Sequence, residues 1–152
     1  MNASRDISEW TDEFFERADL IRKKIMLDIM SRVIMRTPVD TGRARGNWHI
    51  TRNRQPTEQL NGVDKGVVND RGQGASKRVS VAERVINNSN INETVYLTNN
   101  LPYIQRLEEG YSENQAPAGM VGITIRQYRD TAEAALRSIG LNGAFEIREA
   151  LA

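Results

Sequence analysis

The first 36 residues constrain the fold more than any other part of the chain, because their apolar residues recur every three or four positions. That spacing places the side chains on one face of a helix. Thr37 precedes Pro38, and the residue before a proline disfavours helical geometry, so the helix should end there. The sequence therefore predicts one long helix over residues 7–36. Its apolar stripe contains Trp10, Phe14, Ala18, Ile21, Ile25, Ile29 and Val33.

A second apolar set makes this predicted helix apolar on more than one side. Its members are Leu20, Leu27 and Ile34, with Phe15, Met26 and Met30 beside them. A helix of a small domain usually needs only one apolar stripe, so the extra width has two explanations. Either the core covers the helix from both sides, or one side contacts another subunit. The early turns are acidic and the later turns basic, an order that suits the helix macrodipole.

The rest of the chain predicts an α+β fold in a single domain covering residues 1–152. A small, mainly antiparallel sheet is packed by two long helices, residues 7–36 and 120–139, and by short helices. One strand lies around residues 47–51, with Trp48 and Ile50 on one face and an exposed His49 on the other. Residues 53–79 are polar and rich in glycine, which indicates a long flexible or extended loop. Residues 141–152 form a C-terminal tail.

Two short helices complete this prediction. Ser80 is expected to cap a helix that ends near Asn88. A strand beginning at Val95 then leads to a second short helix, for which Asn99 and Asn100 are the predicted caps. This helix should end at Gly110 and be followed by a polar loop.

Composition excludes several kinds of function. The chain has no cysteine and one histidine, which rules out disulfides, Cys-ligated zinc and thiol catalysis. No metal or other cofactor is therefore expected. The net charge of +1 is typical neither of a dedicated nucleic-acid binder nor of a polybasic membrane-surface protein. No apolar run approaches the roughly 18 residues of a membrane span, so the sequence predicts a soluble protein made in the cytoplasm, with no membrane partner.

The triplet Asp40-Thr41-Gly42 is the strongest resemblance to a catalytic motif. In aspartic proteases two such carboxylates, supplied by two subunits in the homodimeric enzymes, share a proton and activate water. That triplet normally ends an apolar strand, whereas here it follows a helix and Thr37-Pro38. A turn is the preferred interpretation, and a homodimeric protease is the alternative.

The mild basicity of the chain is concentrated between residues 43 and 84. Within this region a solvated loop and a surface that meets a phosphate backbone both explain the charge. A small, non-specific nucleic-acid-binding protein is thus a second alternative. The candidate DNA-facing residues are Arg52, Arg54, Lys65, Arg71, Lys77 and Arg78.

The order of motifs along most of the chain resembles that of one family. A long N-terminal helix ends in RTPVDTGRARGNW, and after a variable loop come VYLTNNLPYIQRLEEG and QAPAGMV. This pattern resembles the tail-completion and head-to-tail joining proteins of tailed bacteriophages, a group similar to minor tail protein Z and its tail-terminator relatives. The most specific positions are Thr37 to Arg43, Asn100, Pro102, Tyr103, Glu108, Gly110, Ala116 and Pro117.

The resemblance implies a non-enzymatic structural subunit of the virion. Such subunits assemble into a ring, expected to be a hexamer, at the head/neck-to-tail junction, and double-stranded DNA passes through it. The implied partners are copies of the chain itself, neck or connector proteins and tail-tube proteins. The basic loop would then face the lumen or a neighbouring ring. A terminator role and a completion role both fit, as do contractile and non-contractile tails.

A ring also gives the wide apolar helix a role. Every protomer of a closed ring presents different surfaces to its two neighbours, so one face of the helix would be buried in its own core and one against the next subunit. Glu108 and Glu109 either face a basic partner surface or form a solvated acidic pair. The predicted interface residues are Trp10, Phe14, Leu20, Leu27, Ile34, Glu108 and Glu109.

Overall fold

The computed structural model describes residues 3–68 and 74–138, and the fold is α+β, as predicted. It contains one long helix, several short helices and antiparallel two-stranded sheets. In chain order the elements are α1 (Ala3–Arg36), α2 (Arg43–Gly46), β1 (Trp48–Arg52), β2 (Val67–Val68), β3 (Gly74–Ala75), α3 (Lys77–Asn87), β4 (Val95–Asn99), α4 (Ile104–Glu108), α5 (Val121–Arg126) and α6 (Tyr128–Ser138).

The long helix α1 confirms the first prediction. It spans 34 residues, about 50 Å at 1.5 Å per residue, and ends one residue before Thr37. The Thr37 hydroxyl donates to the carbonyl oxygen of Val33 at 2.9 Å, which satisfies one of the last carbonyls of the helix. Only the second half of α1 reaches the core, where Met30, Val33 and Ile34 are buried.

The main sheet pairs β1 with β4 antiparallel, with Trp48 opposite Asn99 and Arg52 opposite Val95. Trp48 and Ile50 point into the core, as predicted, and pack with residues of α1 and α3. A smaller antiparallel pair, β2 with β3, lies within residues 53–79. Part of the predicted loop is thus an extended, paired backbone.

The prediction of an exposed His49 was wrong, because its side chain is buried. The sheet face opposite the core is covered by residues of the polar loop. Their polarity had suggested that they would be solvated. The Asn47 amide oxygen accepts from the N–H of Leu60 at 2.8 Å. The Asn100 amide donates to the carbonyl oxygens of Pro56 and Glu58. These bonds hold the polar loop against the sheet.

Two predicted helix caps were also wrong. Helix α3 begins at Lys77, and its cap is Ser76, whose hydroxyl accepts from the N–H of Val79 at 3.3 Å, rather than Ser80. The asparagines before α4 do not cap that helix either. Asn99 donates instead to the carbonyl oxygen of Ala44 at 2.8 Å. Asn99 and Asn100 thus make tertiary contacts, whereas the Ser80 hydroxyl donates to the Ser76 carbonyl oxygen at the start of α3.

The predicted second long helix, residues 120–139, is two helices in the structure. Helix α5 ends at Arg126, Gln127 forms a turn, and α6 begins at Tyr128. Arg36 at the end of α1 donates to the Thr124 hydroxyl at 2.8 Å and to the Gln127 side-chain oxygen at 2.7 Å. The break is therefore tied to the end of α1. Residue 139 and the predicted tail, residues 141–152, lie outside the described residues.

None of the helices in the described ranges is long and apolar enough to cross a membrane.

Candidate functional site

The N-terminal half of α1 exposes a cluster of large apolar side chains. Ile7 and Trp10 are each 67% exposed, although both side chains are among the most apolar in the chain. The rings of Trp10 and Phe14 stack with centroids 5.9 Å apart. Monomeric proteins seldom expose a contiguous apolar patch of this kind, so it indicates an interaction site. We call this set the exposed aromatic face; its members are Ile7, Trp10, Phe14 and Phe15. Leu20 is also exposed, but it lies about 120° round the helix from Phe14.

The five residues of α1 that were predicted to contact another subunit divide along the helix. Trp10 and Phe14 belong to the exposed aromatic face, Leu20 is exposed on another side of the helix, and Leu27 is half-buried against the core. Ile34 is 0% exposed, which leaves it no surface for a neighbouring subunit. The sequence suggested two faces running the length of the helix. The structure instead separates an exposed half from a half that packs against the other described elements.

The division begins near Arg22. Its guanidinium donates to the hydroxyl of Ser89, in the segment after α3, at 2.9 Å. Before Arg22, the Thr11 hydroxyl donates to the carbonyl oxygen of Ile7, and Arg17 pairs with Glu13, in both cases four positions earlier in the helix. An exposed pair such as Arg17 with Glu13 contributes little stability.

Charge also distinguishes the exposed half. Residues 3–20 contain six acidic residues and two basic ones, a net charge of −4. The remaining residues carry 14 acidic and 19 basic side chains, a net charge of +5. The nearly neutral chain thus combines an acidic helix end with a basic remainder.

The turn after α1 is fixed by buried polar contacts. The indole N–H of Trp48 donates to the Thr37 hydroxyl at 2.8 Å. The buried Arg45 guanidinium donates to the carbonyl oxygens of Met35 and Thr37 at 3.0 and 3.1 Å. These donors satisfy the end of α1, and the TPVDTGR motif therefore has a structural explanation.

Asp64 connects this turn to α3. Its carboxylate accepts from the Ser76 hydroxyl and from the backbone N–H groups of Gly66 and Arg78, both at 3.0 Å. Burial by itself would raise the pKa of Asp64, but these hydrogen bonds and the nearby Arg45 guanidinium lower it below its ordinary value. Asp64 and Arg45 were not predicted as structural residues, because in a polar stretch a buried charge has no distinctive pattern.

Glu108 has a similar internal role. Its carboxylate accepts from the N–H groups of Met120, Val121 and Gly122 at 2.7 to 2.9 Å, at the start of α5. Burial raises the pKa of Glu108, but the three backbone donors outweigh it and lower the pKa. Gly119 is needed beside it, since a Cβ there would lie 2.3 Å from the Glu108 carbonyl oxygen. Of the predicted acidic pair, Glu109 is the exposed member.

A cleft of about 370 Å³ separates the turn at residues 38–44 from residues 103–115. Leu107 lines its apolar part, and Tyr103 and Tyr111 are exposed at its edge. Gln115 joins the two walls: its side-chain oxygen accepts from the Val39 N–H at 2.7 Å. The structure therefore brings together two segments that are separated by 58 intervening residues in the sequence.

Asp40 lies on the wall of this cleft as an exposed turn residue. The triplet Asp40-Thr41-Gly42 lies between two helices and has no strand leading into it, and Gly42 adopts a left-handed φ of 85°. This geometry gives the protease alternative no support. Across residues 3–68 and 74–138, no three His, Asp or Glu side chains form a group that could hold a metal ion.

The predicted DNA-facing residues fall into two groups at opposite ends of α3. Arg52 donates to the Asn88 carbonyl oxygen after the helix and to Glu93, and the exposed Arg54 follows it. Lys77 and Arg78 begin the helix, roughly 15 Å away at 1.5 Å per residue. Lys65 follows Asp64 and lies near that second group, and Arg71 is outside the described residues. The structure therefore does not gather the described members of this set into one patch.

A scan against protein-family models and searches of curated proteins and of solved structures found no match to this chain.

Proposed function

We propose that this chain is a structural subunit that assembles with copies of itself into a ring at the head/neck-to-tail junction of a tailed bacteriophage, as a tail-completion or tail-terminator protein. The observation that carries the proposal is the exposed aromatic face of α1. Removing these side chains from water lowers the free energy, and a neighbouring copy in a ring supplies the surface that covers them.

The arrangement of the motifs supports the same proposal. The TPVDTGR turn and the segment from Asn100 to Pro117 carry the family resemblance, and they meet at the cleft. Thr37, Arg45 and Glu108 bond to backbone groups of their own chain. Residues with this kind of internal contact fix a shape, as an assembly subunit requires, and provide no catalytic group.

In the proposed virion the protein is made in the host cytoplasm and then joins the junction. Its other partners are the neighbouring neck or connector proteins and the tail-tube proteins. Passing double-stranded DNA would meet the separate basic groups at the ends of α3, through non-specific and salt-sensitive contacts. The proposal needs no cofactor.

The test is the mass of the assembly in solution, measured by size-exclusion chromatography with light scattering, with negative-stain microscopy to detect rings. The variant Trp10→Ala/Phe14→Ala should shift the population to monomers. The matched control Val63→Ala/Ile91→Ala removes exposed apolar side chains elsewhere and should leave assembly unchanged. Rings that form equally well with both variants, or a chain that stays monomeric with its neck and tail-tube partners present, would overturn the proposal.

A further inference from the structure

We infer that the exposed aromatic face of one copy docks against a specific surface of the next copy, the corner where α5 meets α6. This corner is defined by Ile125, Arg126, Tyr128 and Arg129, whose side chains are all exposed. The inference rests on the proposed ring and names the surface that receives the helix.

Distance requires the partner to be another molecule. Arg36 ties the α5–α6 corner to the C-terminal end of α1 through Thr124 and Gln127. Trp10 lies 26 residues before Arg36, which is roughly 40 Å along a continuous helix. A helix cannot fold back on itself over that length. Each protomer therefore offers the docking helix at one end of α1 and the receiving corner at the other, which is the head-to-tail geometry of a ring.

Charge argues against a symmetric contact between two copies of the exposed aromatic face. Such a contact would bring together two helix ends that each carry a net charge of −4, and like charges across an interface are unfavourable. The C-terminal residues 139–152 carry one basic and two acidic residues, so they share this sign. The remainder of a second copy, with a positive net charge, provides the complementary surface.

Within that remainder, the α5–α6 corner combines apolar exposure with positive charge. Ile125 is 56% exposed and Tyr128 is 42% exposed. Exposed Arg126 and Arg129 outnumber the one exposed acid beside them, Asp130, and Arg126 also lowers the pKa of the nearby Glu108 carboxyl group. An arginine over an aromatic ring also gains cation–π attraction, and Trp10 and Phe14 offer such rings.

The cleft is the other described surface with two exposed large apolar side chains, Tyr103 and Tyr111. Asp40 and exposed Arg43 lie on its wall, and exposed Arg106, Glu109 and Glu113 lie in the segment that forms its other side, so these five side chains sum to a net charge of −1. An acidic helix end is therefore less suited to the cleft than to the α5–α6 corner.

The absence of cysteine makes cross-linking a clean test. Single variants Phe14→Cys, Ile125→Cys and Tyr111→Cys are prepared in the full chain and mixed in pairs, and disulfide-linked dimers are measured after mild oxidation. The mixture of Phe14→Cys with Ile125→Cys should give the linked dimer. Its amount should be at least tenfold higher than in two reference samples, Phe14→Cys alone and Phe14→Cys mixed with Tyr111→Cys. Dominant linkage in either of those two samples would overturn the inference.

The same experiment separates this inference from the proposed ring. If the chain forms rings but Phe14→Cys and Ile125→Cys do not link, the receiving surface is wrong and the ring stands. If no assembly occurs even with the neck and tail-tube proteins, both fail. Deleting residues 139–152 should leave the linkage unchanged; linkage that appears only after the deletion would show that these residues cover the face and would overturn the inference.

A charge-reversal pair tests the electrostatic part without cysteines. Arg129→Glu should weaken self-association about tenfold, the effect of a close charge pair at an interface. When Glu13→Lys, next to the exposed aromatic face, is combined with Arg129→Glu, self-association should recover a large part of that loss. Arg84→Glu, at an exposed arginine of α3, is the control and should have little effect. Equal weakening by Arg84→Glu and Arg129→Glu, or no rescue, would contradict the inference.

Discussion

The two halves of α1 have the same secondary structure but opposite environments. Ile7 in the first half is 67% exposed, whereas Ile34 in the second half is fully buried. The apolar spacing requires only that such side chains share faces of a helix. Whether a face is buried depends on what lies beside it, and among the described residues the core contains side chains from the second half of α1.

The halves also differ in what fixes them. Buried side chains hold the end of the second half. Thr37 and Arg45 donate to its last carbonyl oxygens, and Trp48 donates to the Thr37 hydroxyl. In the first half an exposed pair such as Glu13 with Arg17 adds little. The comparison teaches that one helix can provide both the core of a protomer and a surface for assembly.

The same substitution in each half should give the largest contrast. Ile34→Ala removes a buried side chain and leaves a cavity, which should lower the free energy of unfolding by about 3 kcal/mol. Ile7→Ala removes an exposed side chain and should change the free energy of unfolding by less than about 0.5 kcal/mol. Urea unfolding followed by circular dichroism measures both values. Similar losses for the two variants would mean that the halves do not differ as described.

A smaller loss is expected at the end of the buried half. Thr37→Val removes the hydroxyl that accepts from the Trp48 indole N–H, and a buried unpaired donor costs about 2 kcal/mol. The same unfolding measurement applies. Thr37→Ser keeps the hydroxyl and should recover at least half of the loss; an equal loss for both would show that the methyl group, rather than the hydrogen bond, matters.

The hydrogen bonds from the start of α5 to the Glu108 carboxylate should stabilise the fold in a pH-dependent way. Glu108→Gln should cost about 1.5 kcal/mol near neutral pH, the low end for bonds to a charged group, because the carboxylate is only partly buried. The folded pKa is lower than the ordinary value of 4.5. This stabilisation is therefore complete above pH 4.5 and is lost as the pH falls through the lower, folded-state pKa.

The measurement for Glu108 is the free energy of unfolding of both proteins over a range of pH. The difference between the wild-type chain and Glu108→Gln should be constant above about pH 5 and decrease in acid. A difference that stays constant down to the acid limit would show that ionisation of Glu108 does not stabilise the fold. Glu109→Gln, at the exposed neighbour, is the matched control and should show no such change.

The smallest effect is expected at the turn that follows the buried half. Asp40→Asn changes an exposed side chain and should alter the free energy of unfolding by less than about 0.5 kcal/mol, with ring assembly unchanged. Asp64→Asn, the same change at a buried carboxylate, should cost several times more. Loss of a peptide-cleaving activity in Asp40→Asn alone would instead favour the protease alternative.

Sequence periodicity predicted the fold class, the long helix and the inward direction of Trp48 and Ile50, because these follow from local geometry. It failed at His49, whose burial depends on a polar loop held by Asn47 and Asn100. It also missed the break at Gln127, where a uniform helical pattern is interrupted beside Arg36. Contacts between distant segments decide these features, and such contacts have no period.

The candidate surfaces divide in the same way. Trp10, Phe14 and Leu20 could be chosen from the sequence because a short chain had more apolar helix surface than a core needs. The α5–α6 corner could not, since the sequence predicted one continuous helix over residues 120–139, in which no corner exists. The internal role of Glu108 was also hidden, because its partners are backbone groups 12 to 14 residues later.

The sequence by itself determined the helix over residues 7–36, its end at Thr37-Pro38, the strand with Trp48, and the absence of thiol chemistry. These depend on backbone sterics, local periodicity and composition. Only the tertiary structure decided which half of α1 is buried, that Arg45, Asp64 and Glu108 bond internally, and that two distant motifs form one cleft. The physical reason is that burial and polar pairing depend on which segments meet, and that is set by packing of the whole chain.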